Sequence, residues 1–591
     1  MQRNLLHWVF TLFICLSALL ISLAQTPEFE WVQQFENTPM SHSACWGRTA
    51  HQPNGNVLHL NWLNHNQESL DIDPGDGVFM IYNTGFSTTY LACHTADGDF
   101  LWGKQLGINQ EYKTLNTDSQ GNIYITGTFG EILTIDDNKT SYSIDCSVCE
   151  ISSNVSGGYV LKMDELGSVQ WLRKISDYGA TVTSAHINAE DQLCICGSYY
   201  GYEDYVNDFD SGPDVFDFND GTTQQAIFAV KLNPENGDNL TLLNMNTDGS
   251  VKAGSIVEDE QGRVWLTGIG FSTVDFDLGD GVNEMQPTET GTTNFDFLAC
   301  YTWEGELEHL MKFAEEDPIS SSTRVPLRMH IREGQLFLAA NGLNLSGDLN
   351  PGAGELLLDG GGTYLMALNT QGEFLWGNQF DHISLRKFEL TALGNPAICG
   401  GFANTIDLNT AGSSGAMSSS GGFDYCIASY NAENGVYMHG FKIGGNLSDQ
   451  CNDISFCNTG QMTFCGCFQG SADFETGSQS TILDAGDDYD VNSFLCAYQY
   501  DIVNSLNDAQ MTNDLLIWPN PSDISTNINL SLGSDFITGV EMISPDGKSI
   551  YQLDGLRSNS LVIPAQSLSP GVYLLRITAK DIKYNRQLII R

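Results

Sequence analysis

Gln120-Gly-Asn-Ile-Tyr-Ile-Thr-Gly-Thr-Phe129 decides how this chain is read: a glycine at a turn, a short run of β-branched and aromatic residues, then Gly-x-Phe. The phrase recurs as Gln261-Gly-Arg-Val-Trp-Leu-Thr-Gly-Ile-Gly270, Gln192-Leu-Cys-Ile-Cys-Gly-Ser-Tyr199 and Gln461-Met-Thr-Phe-Cys-Gly-Cys-Phe468, with weaker copies opening at Gly55, Gly334 and Gly394. Self-similarity at a fixed period is the signature of a repeat architecture and outranks any local assignment. With turns at 55, 121, 191, 262, 334, 394 and 460, the steps run from 60 to 72 residues.

Working outward, a second phrase follows several copies: Tyr90-Leu-Ala-Cys-His-Thr-Ala-Asp-Gly-Asp-Phe-Leu-Trp102, Tyr159-Val-Leu-Lys-Met-Asp-Glu-Leu-Gly-Ser-Val-Gln-Trp171 and Tyr364-Leu-Met-Ala-Leu-Asn-Thr-Gln-Gly-Glu-Phe-Leu-Trp376. Each reads as a hairpin around a glycine turn. Four strands and one inserted loop fill a unit of this length, and radial stacking of such units protects their edges. The seventh unit stops at Phe494-Leu-Cys-Ala-Tyr-Gln-Tyr500 without its Trp strand, whereas Phe29-Glu-Trp-Val-Gln-Gln-Phe35 matches Phe374-Leu-Trp-Gly-Asn-Gln-Phe380. The fold class expected is all-β: a seven-bladed β-propeller closed by an N-terminal strand, followed by a small C-terminal β-sandwich. Asp118 to Gly127 with its Gly-x-x-x-Trp hairpin resembles the SBBP-type propeller repeat of secreted bacterial proteins, over about residues 29–500. That resemblance implies a fold and leaves activity open, because propellers host unrelated functions.

Composition bounds the partners. The 591 residues carry 73 acidic against 25 basic side chains, a net charge of −48, and 41% are hydrophobic. Such a charge repels nucleic acid and anionic membrane faces. Residues 1–24 hold Arg3, the apolar run Leu5 to Leu23, and Ser22-Leu23-Ala24 before Gln25, which reads as a secretory signal peptide. No later stretch is apolar enough to span a bilayer, so no transmembrane segment is expected in the mature chain.

From Thr512 to Arg591, seven basic residues balance seven acidic ones, so the negative charge belongs to the repeats. The break marks a boundary. Ile517-Trp-Pro519-Asn520-Pro521, Asp546-Gly547, Leu568-Ser-Pro-Gly571-Val-Tyr573 and Arg586-Gln-Leu-Ile-Ile-Arg591 resemble, in order, the type A C-terminal sorting domain of the type IX secretion system of Bacteroidota, with Trp518 where that family has Tyr. The resemblance implies a translocon and a sortase as partners, and a cargo secreted or held at the cell surface. The expected domains are therefore a signal peptide at 1–24, a propeller at 25–501, a linker at 502–511 and a sorting domain at 512–591.

Catalytic motifs are absent: there is no His-Glu-x-x-His, no Gly-x-Ser-x-Gly, and Asp546-Gly-Lys-Ser549 lacks the earlier glycine of a phosphate loop. No catalytic residue is assigned. Of 15 cysteines, Cys196, Cys399 and Cys465 take the slot of Thr126 and read as small packing residues, whereas Cys146, Cys149, Cys451 and Cys457 are the disulfide candidates. The turns Asp71-Ile-Asp73-Pro-Gly-Asp76-Gly77 and Asp275-Phe-Asp277-Leu-Gly-Asp280-Gly281, with relatives at Asp348-Leu-Asn-Pro-Gly352 and Asp407-Leu-Asn409, offer alternate oxygens suited to calcium or to solvated strand ends. No copy supplies the far bidentate Glu of an EF-hand. The expected function is an exported protein that binds a protein or glycan; the alternative is a secreted enzyme degrading polysaccharide or peptide in a central cleft.

Overall fold

The computed structural model describes residues 27–500 apart from 36–45, 64–66, 84, 86–87, 109, 138–139, 147–155, 177–178, 201–207, 210–224, 246–248, 288–293, 317–326, 343–344, 348–361, 411–414, 477–478 and 487–489. Beyond these it describes 515–518, 527–532, 537–544, 548–558, 560–564, 568, 571–579 and 582–590. The signal peptide expected at 1–24 and the linker at 502–511 lie outside the described residues. The chain divides into two compact units at Asp501/Ile502. Among the described residues there is strand and no helix.

In the first unit one plan repeats: four antiparallel strands, in chain order in all but the seventh sheet, named here inner, second, third and outer, with Leu345–Gly347 added at the edge of the fourth sheet and Ser471–Asp473 and Ile482–Asp484 at the edge of the sixth. The first sheet is Arg48–His51, Val57–Leu63, Thr88–His94 and Phe100–Ile108; the second is Gln110–Thr117, Ile123–Phe129, Gly157–Met163 and Val169–Ser176. Thr181–Ile187, Leu193–Tyr200, Gln225–Leu232 and Asn239–Met245 make the third, and Val251–Glu258, Val264–Gly270, Asn294–Tyr301 and Leu307–Glu316 the fourth. The fifth is Arg328–Arg332, Gln335–Gly342, Gly362–Asn369 and Phe374–Phe380; the sixth is Ile383–Leu390, Pro396–Phe402, Asp424–Tyr430 and Tyr437–Gly445. In the seventh, Gln450–Phe456, Gln461–Gln469 and Val491–Gln499 are joined by Glu28–Phe35, whose Phe35 pairs with Ser493 and Glu28 with Gln499.

The turn from inner to second strand explains the leading glycine. Gly55, Gly121, Gly262, Gly334, Gly394 and Gly460 all have positive φ, and Asp191 takes the same slot at φ 59°. Only glycine, or a short polar residue, adopts this conformation cheaply. The second and third strands are buried on both faces, so they read as apolar runs rather than as alternation.

Neighbouring sheets are latched by a repeated contact. The outer-strand Trp of one sheet lies under the hairpin glycine of the next: a Cβ on Gly167, Gly237 or Gly435 would lie 2.4–2.9 Å from Trp102, Trp171 or Trp376. Trp171 Nε1 donates to Pro234 O at 3.2 Å and Trp376 Nε1 to Ala432 O at 2.8 Å. Trp31, on the N-terminal strand, makes the same pair of contacts with Gly98 and with Ala96 O, at 2.8 Å.

The second unit holds two antiparallel sheets: Leu515–Trp518, Asn527–Leu532 and Ser560–Pro564, and Ser549–Ser558, Ile537–Ile543, Gly571–Ala579 and Ile582–Ile590. Its buried residues include Ile537, Val540, Met542, Ile563, Leu575 and Ile577.

Candidate functional site

The inner strands of the first unit line one channel of about 520 Å³. Their register is common. Opposite the slot of Thr126 on the second strand stand Arg48 (on Leu60), Thr114 (on Thr126), Ser184 (on Cys196), Arg328 (on Ala339), Lys387 (on Cys399) and Asp453 (on Cys465). In the fourth sheet Ser255 takes this place, its N–H donating to Thr267 Oγ1 at 2.8 Å.

A β-bulge precedes this slot in five sheets, between Tyr112 and Thr114, Val182 and Ser184, Ala253 and Ile256, Leu385 and Lys387, and Cys451 and Asp453. The extra residues, Lys113, Thr183, Gly254, Arg386 and Asn452, also line the channel. The bulge explains the second glycine of the repeat. A Cβ on Gly127, Gly197, Gly268 or Gly466 would lie 2.0–2.5 Å from a carbonyl oxygen of the bulged strand.

Chemically the lining is basic and hydroxylic. Arg48 Nε donates to Lys113 O at 3.2 Å, and Lys387 Nζ lies 2.9 Å from Asp453 and 3.7 Å from Glu389. His330 Nδ1 is 3.4 Å from Glu389 Oε1. Asp453 Oδ2 also accepts the Thr49 N–H at 3.1 Å. Burial pushes the Arg328 guanidinium down to about 10, and Arg48 and Arg386 push the same way against Asp453. Burial likewise lowers His51 and His186 to about 4, so both are neutral at neutral pH.

The acidic turns have a structural use. Asp71 Oδ1 accepts the N–H groups of Asp73 and Phe79, Asp275 Oδ1 those of Asp277 and Asn283, and Asp473 Oδ1 those of Glu475 and Thr481. Asp407 Oδ1 accepts from Asn409. The residue after each Asp is a fully buried plug, Ile72, Phe276, Leu408 or Phe474. Tyr301, Tyr430 and Tyr498 donate their hydroxyls to the plug carbonyls of Phe276, Leu408 and Phe474. Asp76 and Asp280 stand exposed on the loops. Among the described residues no three His, Cys, Asp or Glu side chains converge as metal ligands. Asp348 lies outside the described residues.

The disulfide expectation for Cys451 and Cys457 is corrected: both are free thiols. Cys451 lies near one end of the strand Gln450–Phe456 and Cys457 just beyond the other. At roughly 3.3 Å per residue that separation far exceeds the ~7 Å Cα limit for a bridge. Cys457 Sγ instead contacts Thr459 Oγ1 at 2.8 Å. Cys146 is disulfide-bonded, as is Cys467, which the sequence did not single out; Cys149 lies outside the described residues. Cys196, Cys399 and Cys465 are free and buried. Of the sorting motif, Tyr573 is buried on Gly571–Ala579, whereas Pro519, Asn520, Pro521, Asp546 and Gly547 lie outside the described residues.

Sequence reasoning missed the channel lining. A signal existed: each lining residue stands twelve positions before the slot of Thr126, or eleven in the fifth sheet, where the turn is shorter.

Residues 516–591 match the family described as the secretion system C-terminal sorting domain. The chain is similar to an uncharacterized WD repeat-containing protein L264 of Acanthamoeba polyphaga mimivirus, 23% identical over 156 residues. That match takes in 25% of this chain and 11% of the viral protein, so the chain spans about a ninth of that relative's length. Similar solved structures include the quinohemoprotein alcohol dehydrogenase of Comamonas testosteroni (TM-score 0.37, 10% identity, 84% of this chain and 79% of that one). Another is the Dos1 propeller (TM-score 0.36, 9% identity, 78% and 95%). The β-propeller domain of the trilobed protease of Pyrococcus furiosus gives a TM-score of 0.28 at 8% identity over 61% and 91%. The repeated four-stranded sheets around one channel, together with the matched tail, define an exported all-β protein of propeller type. In particular, it carries a type IX C-terminal sorting domain, which directs it to the cell surface or outside the cell.

Proposed function

We propose that this protein is a seven-bladed propeller, closed by Glu28–Phe35, which the type IX translocon and its sortase deliver to the cell surface or medium, where it binds a protein or glycan. Ring closure is supported by the inner strands, each lying against the next, with Gln450–Phe456 against Arg48–His51. The Trp31 latch on Gly98 supports it too. Signal peptide, propeller, linker and sorting domain occupy 1–24, 25–501, 502–511 and 512–591 in this reading.

The observation that carries the binding role is the channel itself: polar side chains of seven inner strands held at one register, on a chain whose tail exports them. Rigid strands present such groups with little ordering cost on binding. The His330–Glu389 pair favours the second reading, an enzyme using these groups as acid and base on polysaccharide or peptide.

Export is tested by removing Leu568–Arg591. The shortened chain should accumulate, folded, in the periplasm, while the external form of the intact protein should end near 504–512 by mass spectrometry. Efficient appearance of the shortened chain outside the cell would reduce the tail to an accessory sandwich. Turnover of a saccharide or peptide library, lost in Glu389→Gln, would replace binding by catalysis.

A further inference from the structure

Between residues 25 and 511 the chain has 17 basic against 66 acidic side chains, a strongly anionic unit. Five of the seventeen, Arg48, Lys113, Arg328, Arg386 and Lys387, line the one channel formed by the inner strands. Asp453 and Glu389 are the carboxylates among its described lining residues, and Glu111 pairs with Lys113 at 2.9 Å from outside the lining, so five cations less three anions leave an excess of two positive charges. The sign of the charge is reversed where the strands converge.

The five cations belong to two adjacent levels. Arg48, Arg328 and Lys387 share the register slot opposite Thr126 and its equivalents, while Lys113 and Arg386 are the bulge residues just before it. Lys387 is occupied by Asp453 and Glu389, and Arg48 by the carbonyls of Lys113, Trp46 and Gly47. Among the described residues neither Arg328 nor Arg386 makes a hydrogen bond or ion pair, though Asp453 is near enough to Arg328 to act on its charge. Gathering like charges in one place without an equal number of counter-charges costs stability by mutual repulsion. A planar guanidinium fork is also the group best shaped to take an oxyanion in two parallel bonds.

We propose that this ring of cations is an anion-binding site that takes the carboxylate or sulfate group of an acidic saccharide into the channel. The saccharide is favoured over an acidic peptide by the rest of the wall. Thr114, Thr183, Ser184, Ser255 and Asn452 interleave with the cations and offer donors and acceptors for sugar hydroxyls. A volume of about 520 Å³ is within the usual span of small-ligand sites. The inference names a ligand class for the binding reading above and rests on it for its biological use, whereas the site itself is read from the ring.

Calorimetric titration of the full chain with an oligogalacturonate, a sulfated disaccharide, the neutral saccharide and an oligo-aspartate peptide tests it. Binding of the charged saccharides, weakened by added salt and absent for the neutral one, is expected. Arg386→Gln, an exposed position whose substitution leaves the core untouched, should weaken it by about tenfold or more, the loss of one charge-assisted hydrogen bond. Arg328→Gln, checked for an unchanged melting curve, should weaken it similarly, and Lys252→Gln, exposed and outside the channel, should leave it unchanged. Binding indifferent to Arg386→Gln and Arg328→Gln, or no binding of either acidic saccharide, overturns the site and leaves the export reading standing. Preference for the peptide overturns the saccharide assignment. Turnover of the saccharide, abolished by the same two substitutions, supports the site and overturns only the reading of binding without catalysis.

Discussion

The inner and second strands of each sheet face one another across the same register, yet their residues obey different rules. On the second strand the slot holds Leu60, Thr126, Cys196, Thr267, Ala339, Cys399 and Cys465, all small or apolar, and all buried. Across it on the inner strand stand Arg48, Thr114, Ser184, Ser255, Arg328, Lys387 and Asp453, which differ in charge from sheet to sheet. A position packed between neighbouring sheets must fit at close to crystal density, so it repeats. A position facing a channel has no such constraint, and its variation is free to serve a ligand.

The contrast is broken most directly by cutting the packed side. Phe494, fully buried on the third strand of the seventh sheet, packs with Tyr425, Phe464 and Phe474. Phe494→Ala should cost about 3–5 kcal/mol in denaturant unfolding, and Trp31→Ala, at the half-exposed latch, about 2–3 kcal/mol. Thr114→Ala, on the channel side, should stay within about 1 kcal/mol. A Thr114→Ala cost equal to that of Phe494→Ala would erase the distinction, and an unchanged melting curve for Trp31→Ala would refute the proposed closure by the N-terminal strand.

A pH titration of stability gives a smaller effect. Burial lowers His51, His94 and His186 to about 4 and His59 to about 3. The unfolded chain takes up these protons near pH ~6.5 and the folded one does not, so stability from these groups is present above ~6.5 and lost as pH falls toward 4. Asp449 opposes them. Burial chiefly raises it to about 7, with Asp424 adding and Lys442 and the N–H groups of Gly445 and Gln469 subtracting. Its contribution is full below its unfolded value and is lost as pH rises through about 7. Denaturation midpoints should therefore fall between pH ~7 and ~5, and fall more steeply in Asp449→Asn. A midpoint that rises over that interval would refute the assignment of these histidines as buried and neutral.

The smallest effect expected is that of a chelator. Since Asp71, Asp275 and Asp473 already accept two backbone N–H groups each, the melting temperature should not move between chelator and millimolar calcium. A rise with calcium would make Asp71, Asp73, Asp275 and Asp277 ligands, by mass action on the folded state.

The legibility of the fold follows the same divide. Glycine turns, apolar strands and the Trp hairpins were readable because each local conformation demands its own residue type; Asp191 replacing a turn glycine was the one disguise, and its positive φ explains it. The acidic turns were visible as a motif but not as a device, because the bonds from Asp71 to Phe79 and from Asp275 to Asn283 span eight residues of loop. Cys451 and Cys457 misled for a related reason: six positions apart in sequence, they are held at opposite ends of one extended strand.

By itself the sequence determined a β-repeat of about 68 residues, a strongly acidic body and a neutral sorting tail, since periodicity, composition and motif order are all properties of one dimension. Only the tertiary structure decided that Arg48, Lys113, Arg328, Arg386 and Lys387 share one channel. They come from four strands spread over 340 positions of chain, and no local propensity distinguishes them from any other cation on a strand. What assembles them is the common register of the inner strands, fixed by glycines and bulges whose own sequence signal speaks only of turns.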